Sequence, residues 1–281
     1  MANIKETFHN QTVLVTGGSS GIGLSVARQL SALGANIWLV SKHADKLEAA
    51  LRTIEAAREN PDQRFGSTAA DVADATQINK AISQVIDVLG VPDLVVNSAG
   101  ITYPGYVQEL GMNIFHDMID VDYFGTVNTV QGLLPAMTAR RSGYIVNISS
   151  MAGFMGVFGY AAYGAAKYAV RGYSEVLRAE LKPLGIGVSV VFPPDTDTPQ
   201  LAYENQFKPM ETKELAGNAG VMSPDAVAET IVKGVAKKQF LILPGESKLY
   251  YRLTGWMGGA MYPIMDYLIA QAQHKKEHSS R

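Results

Sequence analysis

A tyrosine and a lysine stand four residues apart, at Tyr163 and Lys167, in a helical pattern that stops near Pro183. Because four residues advance about 400° around a helix, the two side chains share one face. A phenol alone is a poor proton donor near neutral pH, since its pKa is about 10. An ammonium group about 5 Å away contributes roughly 3 kcal/mol at an effective dielectric constant near 20. The pair therefore indicates acid–base catalysis by the tyrosine.

A tyrosine and a lysine at this spacing also arise by chance. The position of the pair in the chain therefore decides how strongly it supports catalysis. Ser150 follows the predicted strand Tyr144–Ser149 and comes shortly before the pair. Ligands of open α/β sheets bind beyond the carboxyl ends of the strands. The sequence predicts that Ser150, Tyr163 and Lys167 meet there.

A glycine-rich loop, Thr16–Gly23, follows the first predicted strand and opens a helix. Glycine allows positive φ and a close approach of the backbone to a ligand, and a helix N-terminus attracts a pyrophosphate. The alternative is a tight turn that binds nothing. We expect a dinucleotide on this loop, held by Gly17, Ser19, Ser20, Gly21, Ile22 and Gly23.

The end of the second predicted strand bears on the choice of dinucleotide. An acidic residue there commonly binds the ribose 2′-hydroxyl of NAD. This chain instead has Ser41, Lys42 and His43, and Asp45 comes too late. Because Lys42 can meet a 2′-phosphate, the sequence predicts NADP(H). The alternative is that Lys42 is an ordinary surface charge.

Alternating strands and helices must position these residues. The strand segments are apolar on both faces, which is typical of a parallel sheet covered by helices on both sides. Repeated strand–helix units predict an α/β fold with a doubly wound parallel sheet. The predicted strands are Thr12–Thr16, Asn36–Val40, Gly66–Ala70, Asp93–Asn97, Tyr144–Ser149, Gly187–Phe192 and Phe240–Leu243. The predicted helices are Gly23–Leu33, Asp45–Arg58, Ala75–Leu89, Asn113–Ala139 and Tyr160–Leu181.

Composition excludes several classes of protein. The 281 residues carry a formal net charge of −2, 47% of them are hydrophobic, and none is cysteine. General disorder, a disulfide framework, a cysteine zinc site and a broad nucleic-acid-binding face are therefore not expected. The five histidines do not cluster like ligands, so no metal is predicted. The first ten residues lack an apolar core, which argues against a secretory signal.

Taken together, the motifs resemble the short-chain dehydrogenase/reductase family over residues 10–245. The resemblance implies a Rossmann-like three-layer sandwich and hydride transfer between a nicotinamide and a carbonyl or alcohol. It implies that Ser150, Tyr163 and Lys167 are catalytic and that Tyr163 and Lys167 also contact the cofactor. Further cofactor contacts implied by the family motifs are Asp71, Val72, Asn97, Ala99, Gly100, Pro193, Thr196 and Thr198.

Two departures from the family pattern carry information. Asp122 stands where the family usually has a catalytic asparagine. Its carboxylate can pair with Lys167 and weaken the effect of that lysine on Tyr163. The run Pro193–Thr212 contains Pro-Pro-Asp-Thr-Asp-Thr-Pro and resembles a branch of the family that reduces long-chain 3-keto sphingoid bases with NADPH. Alternatives are a 3-oxoacyl or hydroxysteroid reductase and a dinucleotide-binding regulator without catalysis.

We expect one domain, 1–245, with a lid at 193–222, and a C-terminal extension at 246–281. Leu249–Ala270 is apolar but interrupted by glycine and proline, so we expect it to cover the substrate site and to dock on a membrane surface, with His274–Lys276 at the headgroups. The alternative is that the same side chains pack in an oligomer interface. Met257, Met261 and Met265 have helical spacing, which suits packing in a core or oligomer, or an apolar surface. The expected partners are a small lipid substrate and further copies in a homo-oligomer. The expected location is the cytoplasm, with possible membrane association on that face.

Overall fold

A seven-stranded sheet forms the centre of the computed structural model, which describes residues 4–217 and 220–279. All strand pairs are parallel, and the order is β3-β2-β1-β4-β5-β6-β7. The predicted doubly wound α/β fold is confirmed. The strands are β1 Thr12–Thr16, β2 Asn36–Ser41, β3 Phe65–Ala69, β4 Leu94–Asn97, β5 Gly143–Ile148, β6 Ile186–Val191 and β7 Leu241–Ile242.

Helices cover both faces of this sheet. Successive residues of β1 point to opposite layers: Val13 and Val15 pack with Val26, and Leu14 packs with Leu133. Both layers are buried, which explains why the strands are apolar on both faces. The helices are α1 Ile4–Phe8, α2 Gly21–Ser31, α3 Ala44–Ala56, α4 Ala75–Leu89, α5 Met112–Met118, α6 Gly125–Arg140, α7 Ala161–Leu181, α8 Pro199–Glu204, α9 Met210–Ala216, α10 Pro224–Ala236, α11 Ser247–Met257 and α12 Met261–Ser279.

The connections reverse direction between β1 and β4. The chain runs outward through β2 and β3, then returns to place β4 on the other side of β1. A crevice opens at such a switch point, beyond the carboxyl ends of the two strands. The glycine loop follows β1 and Ser98 follows β4, so the topology brings both to this crevice.

The long helical region predicted from Asn113 to Ala139 is helical throughout in the structure. It is divided into α5 and α6 by a wider π-helical turn, Ile119–Phe124, which contains Asp122. Such turns are frequent at functional sites.

The segment predicted as a loop or lid, 193–222, contains the two short helices α8 and α9. Its two ends are held together, because Asp197 N donates to Met222 O and Met222 N donates to Asp195 O, each at 2.9 Å.

The C-terminal extension consists of α11 and α12, separated by a short turn at Gly258–Ala260. Met257 ends α11 and Met261 begins α12, so the three methionines with helical spacing do not lie on one continuous helix. Among the described residues, none of the helices combines the length and apolar character needed to cross a bilayer.

Candidate active site

A cavity of about 480 Å³ opens beyond the carboxyl ends of the strands. Segments following all seven strands line it, as expected for this fold. Most of the predicted site residues meet here. Those in its lining are Gly17, Ser19, Ser20, Gly21, Ile22, Lys42, Asp71, Val72, Ala99, Gly100, Ser150, Tyr163, Lys167, Pro193, Thr196 and Thr198.

The glycine loop has the shape of a cradle for a dinucleotide. Gly17 and Gly21 have φ of +65° and +55°, which favours glycine. A Cβ on Gly17 would lie 2.6 Å from the Ala99 backbone nitrogen, and one on Gly21 would lie 3.1 Å from Thr198. Because Gly17 and Gly21 carry no side chain, the space beside the loop, between β1 and β4, stays open for a ligand. The amino end of α2 begins at Gly21 and offers backbone N–H groups to a pyrophosphate. The residues present fit a dinucleotide.

Two residues predicted to contact the cofactor lie behind the cavity wall. A Cβ on Gly23 would lie 2.5 Å from the Gly17 carbonyl oxygen, so Gly23 permits close packing of the loop on its helix. Asn97 is buried and donates to Asn147 Oδ1 at 2.8 Å, and Asn147 donates to Ser174 at 2.9 Å. These bonds join β4, β5 and α7. Gly23 and Asn97 therefore support the fold around the cavity, and their predicted contacts with the cofactor stay predictions.

At the far end of the cavity, Lys42 lies beside Ser41, His43 and Lys46. Ser19 donates to the Ser41 hydroxyl at 2.9 Å, which joins the glycine loop to the end of β2. Asp45 does not line the cavity. Sequence reasoning missed Lys46, which lies in the first turn of α3, whereas Lys42 lies in the turn before that helix.

Ser150, Tyr163 and Lys167 are brought together by β5 and α7. The Tyr163 hydroxyl is hydrogen-bonded to the Ser150 side chain. The Lys167 Nζ lies 5.4 Å from the centroid of the Tyr163 ring and donates to the Ile148 carbonyl at 3.3 Å. The three side chains line one region of the cavity, at the position where a carbonyl oxygen of a substrate can receive a hydrogen bond and a proton.

Asp122 pairs with Lys167, as the sequence suggested. The two side chains approach to 3.6 Å between Oδ2 and Nζ, and Oδ1 accepts from Ile101 N at 2.8 Å. Asp122 is fully buried and does not line the cavity. Burial raises its pKa to about 6, and Lys167 opposes that shift. Asp122 is therefore placed to act on Tyr163 through Lys167, without touching a substrate.

The pKa of Tyr163 differs from our expectation. We expected Lys167 to lower it, but burial raises the pKa and the Asp122 carboxylate raises it further. The hydrogen bond with Ser150 acts in the opposite direction. The physical reason is that a buried phenolate loses its hydration, while the charge of Lys167 is shared with Asp122.

The lid and the C-terminal extension both line the cavity, as the sequence suggested, but the sequence did not identify which charged side chains they contribute. The lid contributes the charged residues Asp195, Glu204 and Lys208. The extension contributes Glu246 from the turn before α11, together with the apolar Met265 and Leu268 from α12. Among these residues, the sequence could have suggested one contact: Glu204 and Lys208 are four residues apart, a spacing at which opposite charges often pair.

Comparison with known proteins places this arrangement in a class. Residues 11–209 match the model of the short chain dehydrogenase family. The chain belongs to the short-chain dehydrogenase family and is an oxidoreductase. The family and its reductase members use NADP(H), which confirms the predicted cofactor at the level of the family.

Similar proteins include two with named substrates. A 3-dehydrosphinganine reductase of Danio rerio is 41% identical over 229 residues, covering 81% of this chain and 69% of the relative. A 3-ketodihydrosphingosine reductase of Bos taurus is 40% identical over the same shares. Among solved structures, levodione reductase has a TM-score of 0.79 at 24% identity, over 87% of this chain and 100% of that chain. At that identity the likeness supports the fold alone.

Proposed function

We propose that this protein is an NADPH-dependent reductase that converts a long-chain 3-keto sphingoid base, 3-ketosphinganine, to sphinganine. One observation supports the proposal above all. Ser150, Tyr163 and Lys167 line one cavity, and apolar side chains of the extension form part of its wall. The names of the similar proteins from Danio rerio and Bos taurus supply the substrate.

The chain's own residues have distinct parts in this reaction. Ser150 donates a hydrogen bond to the ketone oxygen, where negative charge develops. Tyr163 donates its proton to the same oxygen, and Lys167 stabilises the phenolate that remains. The bound cofactor supplies the hydride that adds to the carbonyl carbon. Ketone, hydride and proton together give the alcohol.

The preference for NADPH rests on the cations at the end of β2. Lys42 and Lys46 both line the cavity there, and Asp45 does not. A 2′-phosphate gains a charge-assisted contact from these lysines, whereas the ribose of NADH meets no carboxylate among Ser41, Lys42, His43 and Lys46. We propose that the adenosine end of the cofactor lies against these residues.

A direct assay tests the reaction. Purified protein is incubated with NADPH and either 3-ketosphinganine or a short 3-ketoacyl thioester, and NADPH oxidation is followed by absorbance. The product is identified by mass spectrometry. We expect sphinganine to form and the sphingoid ketone to have the higher kcat/KM. A higher kcat/KM for the thioester overturns the proposed substrate, and oxidation with neither ketone overturns the proposed reaction.

We further propose that the C-terminal extension docks on a lipid surface. The surface of 249–270 exposes large aromatic side chains, with Trp256 82% and Tyr262 73% exposed, as well as Tyr267. Tryptophan and tyrosine are the residues enriched at membrane–water interfaces. On the other side, α12 packs against α9 of the lid, and Met265 and Leu268 face the cavity. The same two helices therefore connect the substrate site to the proposed lipid-facing surface.

The source of the substrate supports this role. Each buried CH₂ of a hydrocarbon chain is worth about 0.8 kcal/mol, so a long-chain ketone resides in lipid. The predicted headgroup contact at His274–Lys276 includes the side chains of Lys275 and Lys276, which lie outside the described residues. A homo-oligomer and a position on the cytoplasmic face remain proposals from the sequence.

Two variants test the docking proposal against its rival, an oligomer interface. Replacing Trp256 and Tyr262 by serine is expected to lower co-sedimentation with phosphatidylcholine liposomes while a short soluble ketone is still reduced. The matched control replaces Tyr203, an exposed aromatic residue of α8, by serine. If the double variant changes the mass measured by light scattering and the unaltered protein never binds liposomes, the surface is an oligomer contact and the docking proposal is wrong.

A further inference from the structure

A buried ion network lies in the wall of the substrate cavity. Glu204 and Lys208 both belong to the lid, and the Lys208 Nζ lies 3.0 Å from Glu204 Oε1 and 3.1 Å from Asp195 Oδ2. The Tyr160 hydroxyl donates to Glu204 Oε1 at 3.0 Å. The Glu204 and Lys208 side chains are only 8% and 3% exposed. Burying such charges costs free energy, so the network calls for a reason beyond holding a surface loop.

Glu246 adds a third carboxylate to this end of the cavity. It lies in the cavity lining at the start of α11, and within the part of the chain that the structure describes its side chain has no hydrogen-bond or ion-pair partner. Burial and the nearby Asp195 raise the pKa of Glu246, so the two carboxylates are close enough to repel each other. Three carboxylates against the one ammonium of Lys208 leave two negative charges in excess. Such a site is stabilised by a further cation.

This negative charge lies beside the proposed proton donor. The rings of Tyr160 and Tyr163 are 5.7 Å apart between centroids, and Tyr160 holds Glu204 through its hydroxyl. Burial raises the pKa of Tyr163 most, and the Glu204 and Asp195 carboxylates raise it further, which places their charges within electrostatic reach of its hydroxyl. Tyr163 and the three carboxylates line one cavity, so a substrate whose ketone oxygen meets Tyr163 shares that cavity with the network.

We propose that Asp195, Glu204 and Glu246 form a specificity subsite for a protonated amine on the carbon next to the ketone. The inference rests on the proposed function, in which the substrate carries an amine at that position. The ammonium group supplies the positive charge that the network lacks, and charge-assisted hydrogen bonds to the carboxylates fix which face of the ketone meets Ser150 and Tyr163. The residues are specificity determinants, and no proton or hydride passes through them.

The rival is that the network only holds the lid closed. In that case, a substitution in the network lowers the turnover of every ketone by the same factor. A subsite for an amine predicts a different result, because only the substrates that carry the charge are affected. The discriminating quantity is therefore the ratio of kcat/KM between an aminoketone and a matched ketone without the amine.

Three ketones of one chain length provide that ratio. They are 3-ketosphinganine, its N-acetyl derivative, which has no charge, and the 1-hydroxy-3-ketone that lacks the amine. Each is assayed with the unaltered protein and with Glu246→Gln and Glu204→Gln. Glu246→Gln leaves the contacts of Lys208 intact and therefore guards against a lid that fails to fold. The matched control is Asp197→Asn, which removes an exposed carboxylate of the same segment that does not line the cavity.

We expect the unaltered protein to prefer 3-ketosphinganine over both uncharged ketones by at least about tenfold, the effect of one charge-assisted contact. Glu246→Gln and Glu204→Gln should reduce that preference several-fold, and Asp197→Asn should leave it unchanged. Equal kcat/KM for all three ketones, or a loss shared equally by all three in both variants, overturns the amine subsite while the proposed reductase function stands. If none of the three ketones is reduced, the proposed function itself has failed.

Discussion

Replacing Asp122 by asparagine should accelerate the reduction at neutral and alkaline pH. The Asp122 carboxylate lies 3.6 Å from the Lys167 ammonium, which corresponds to roughly 5 kcal/mol of attraction at an effective dielectric constant of 20. Lys167 lies 5.4 Å from the Tyr163 ring centroid, where its charge is worth roughly 3 kcal/mol, or about 2 pK units. An ionised Asp122 cancels much of that benefit, since it raises the pKa of Tyr163.

The size of the acceleration follows from the pKa of the proton donor. If Asp122→Asn lowers the pKa of Tyr163 by 1–2 units and about half of the change is felt in the transition state, kcat rises roughly 3–10-fold. Asparagine keeps an oxygen for the Ile101 N–H, which Asp122 Oδ1 accepts at 2.8 Å. The local backbone is therefore expected to remain in place.

The pH dependence of kcat provides the most specific test of this prediction. Because the pKa of Asp122 is about 6, the unaltered protein loses the carboxylate charge as the pH falls through that value. The ratio of variant to unaltered kcat should be greatest above about pH 7 and approach one below about pH 5.5. The assay is NADPH oxidation at saturating cofactor from pH 5 to pH 9, with NADPH binding measured separately by fluorescence.

Asp120→Asn is the matched control, because Asp120 is an exposed carboxylate in the same π-helical turn. It should change neither the rate nor its pH dependence. A variant at position 122 that is no faster at pH 8, with NADPH binding intact, would refute the idea that Asp122 masks Lys167. A ratio that does not change with pH would show that the carboxylate does not titrate near pH 6.

Four further substitutions test other parts of the structure. Lys42→Asp should shrink or reverse a preference for NADPH over NADH of at least about tenfold, measured by the two dissociation constants; equal affinities in the unaltered protein would contradict the assignment. Tyr163→Phe should reduce turnover by a factor of about 10²–10⁴ without weakening NADPH binding, whereas Lys167→Ala should impair both; more than about a tenth of normal turnover in Tyr163→Phe excludes that tyrosine as the main acid. Gly66→Ala should lower the free energy of unfolding by about 1–3 kcal/mol, since its Cβ would lie 2.3 Å from the Trp38 ring; an unchanged thermal midpoint would show that the ring moves aside.

The sheet could be predicted from the sequence because its signal is local and repeated. Most strands are short apolar runs, with β3 Phe65–Ala69 as the exception, and the structure shifts the predicted strand ends by only one or two residues. The long helical pattern after β4 gave no warning of its π-helical turn, since neither proline nor glycine stands within Ile119–Phe124. The hydrophobic pattern continues through that turn, and only the buried contact of Asp122 with Lys167 distinguishes it.

The residues of the candidate site also differ in how far the sequence could predict them. Motifs of adjacent residues, such as the glycine loop, could be read directly, because a strand and a helix of fixed geometry set their position. The charged wall of the cavity could not be predicted in the same way. Its residues come from three separate segments, with Tyr160 before α7, Asp195 and Glu204 in the lid, and Glu246 before α11, and these segments meet only in the folded chain. Family motifs describe what all members share, which is the cofactor and the proton donor. The run Pro193–Thr212 indicated a substrate class from the sequence, but the contacts that we propose to select the substrate appear only in the folded chain.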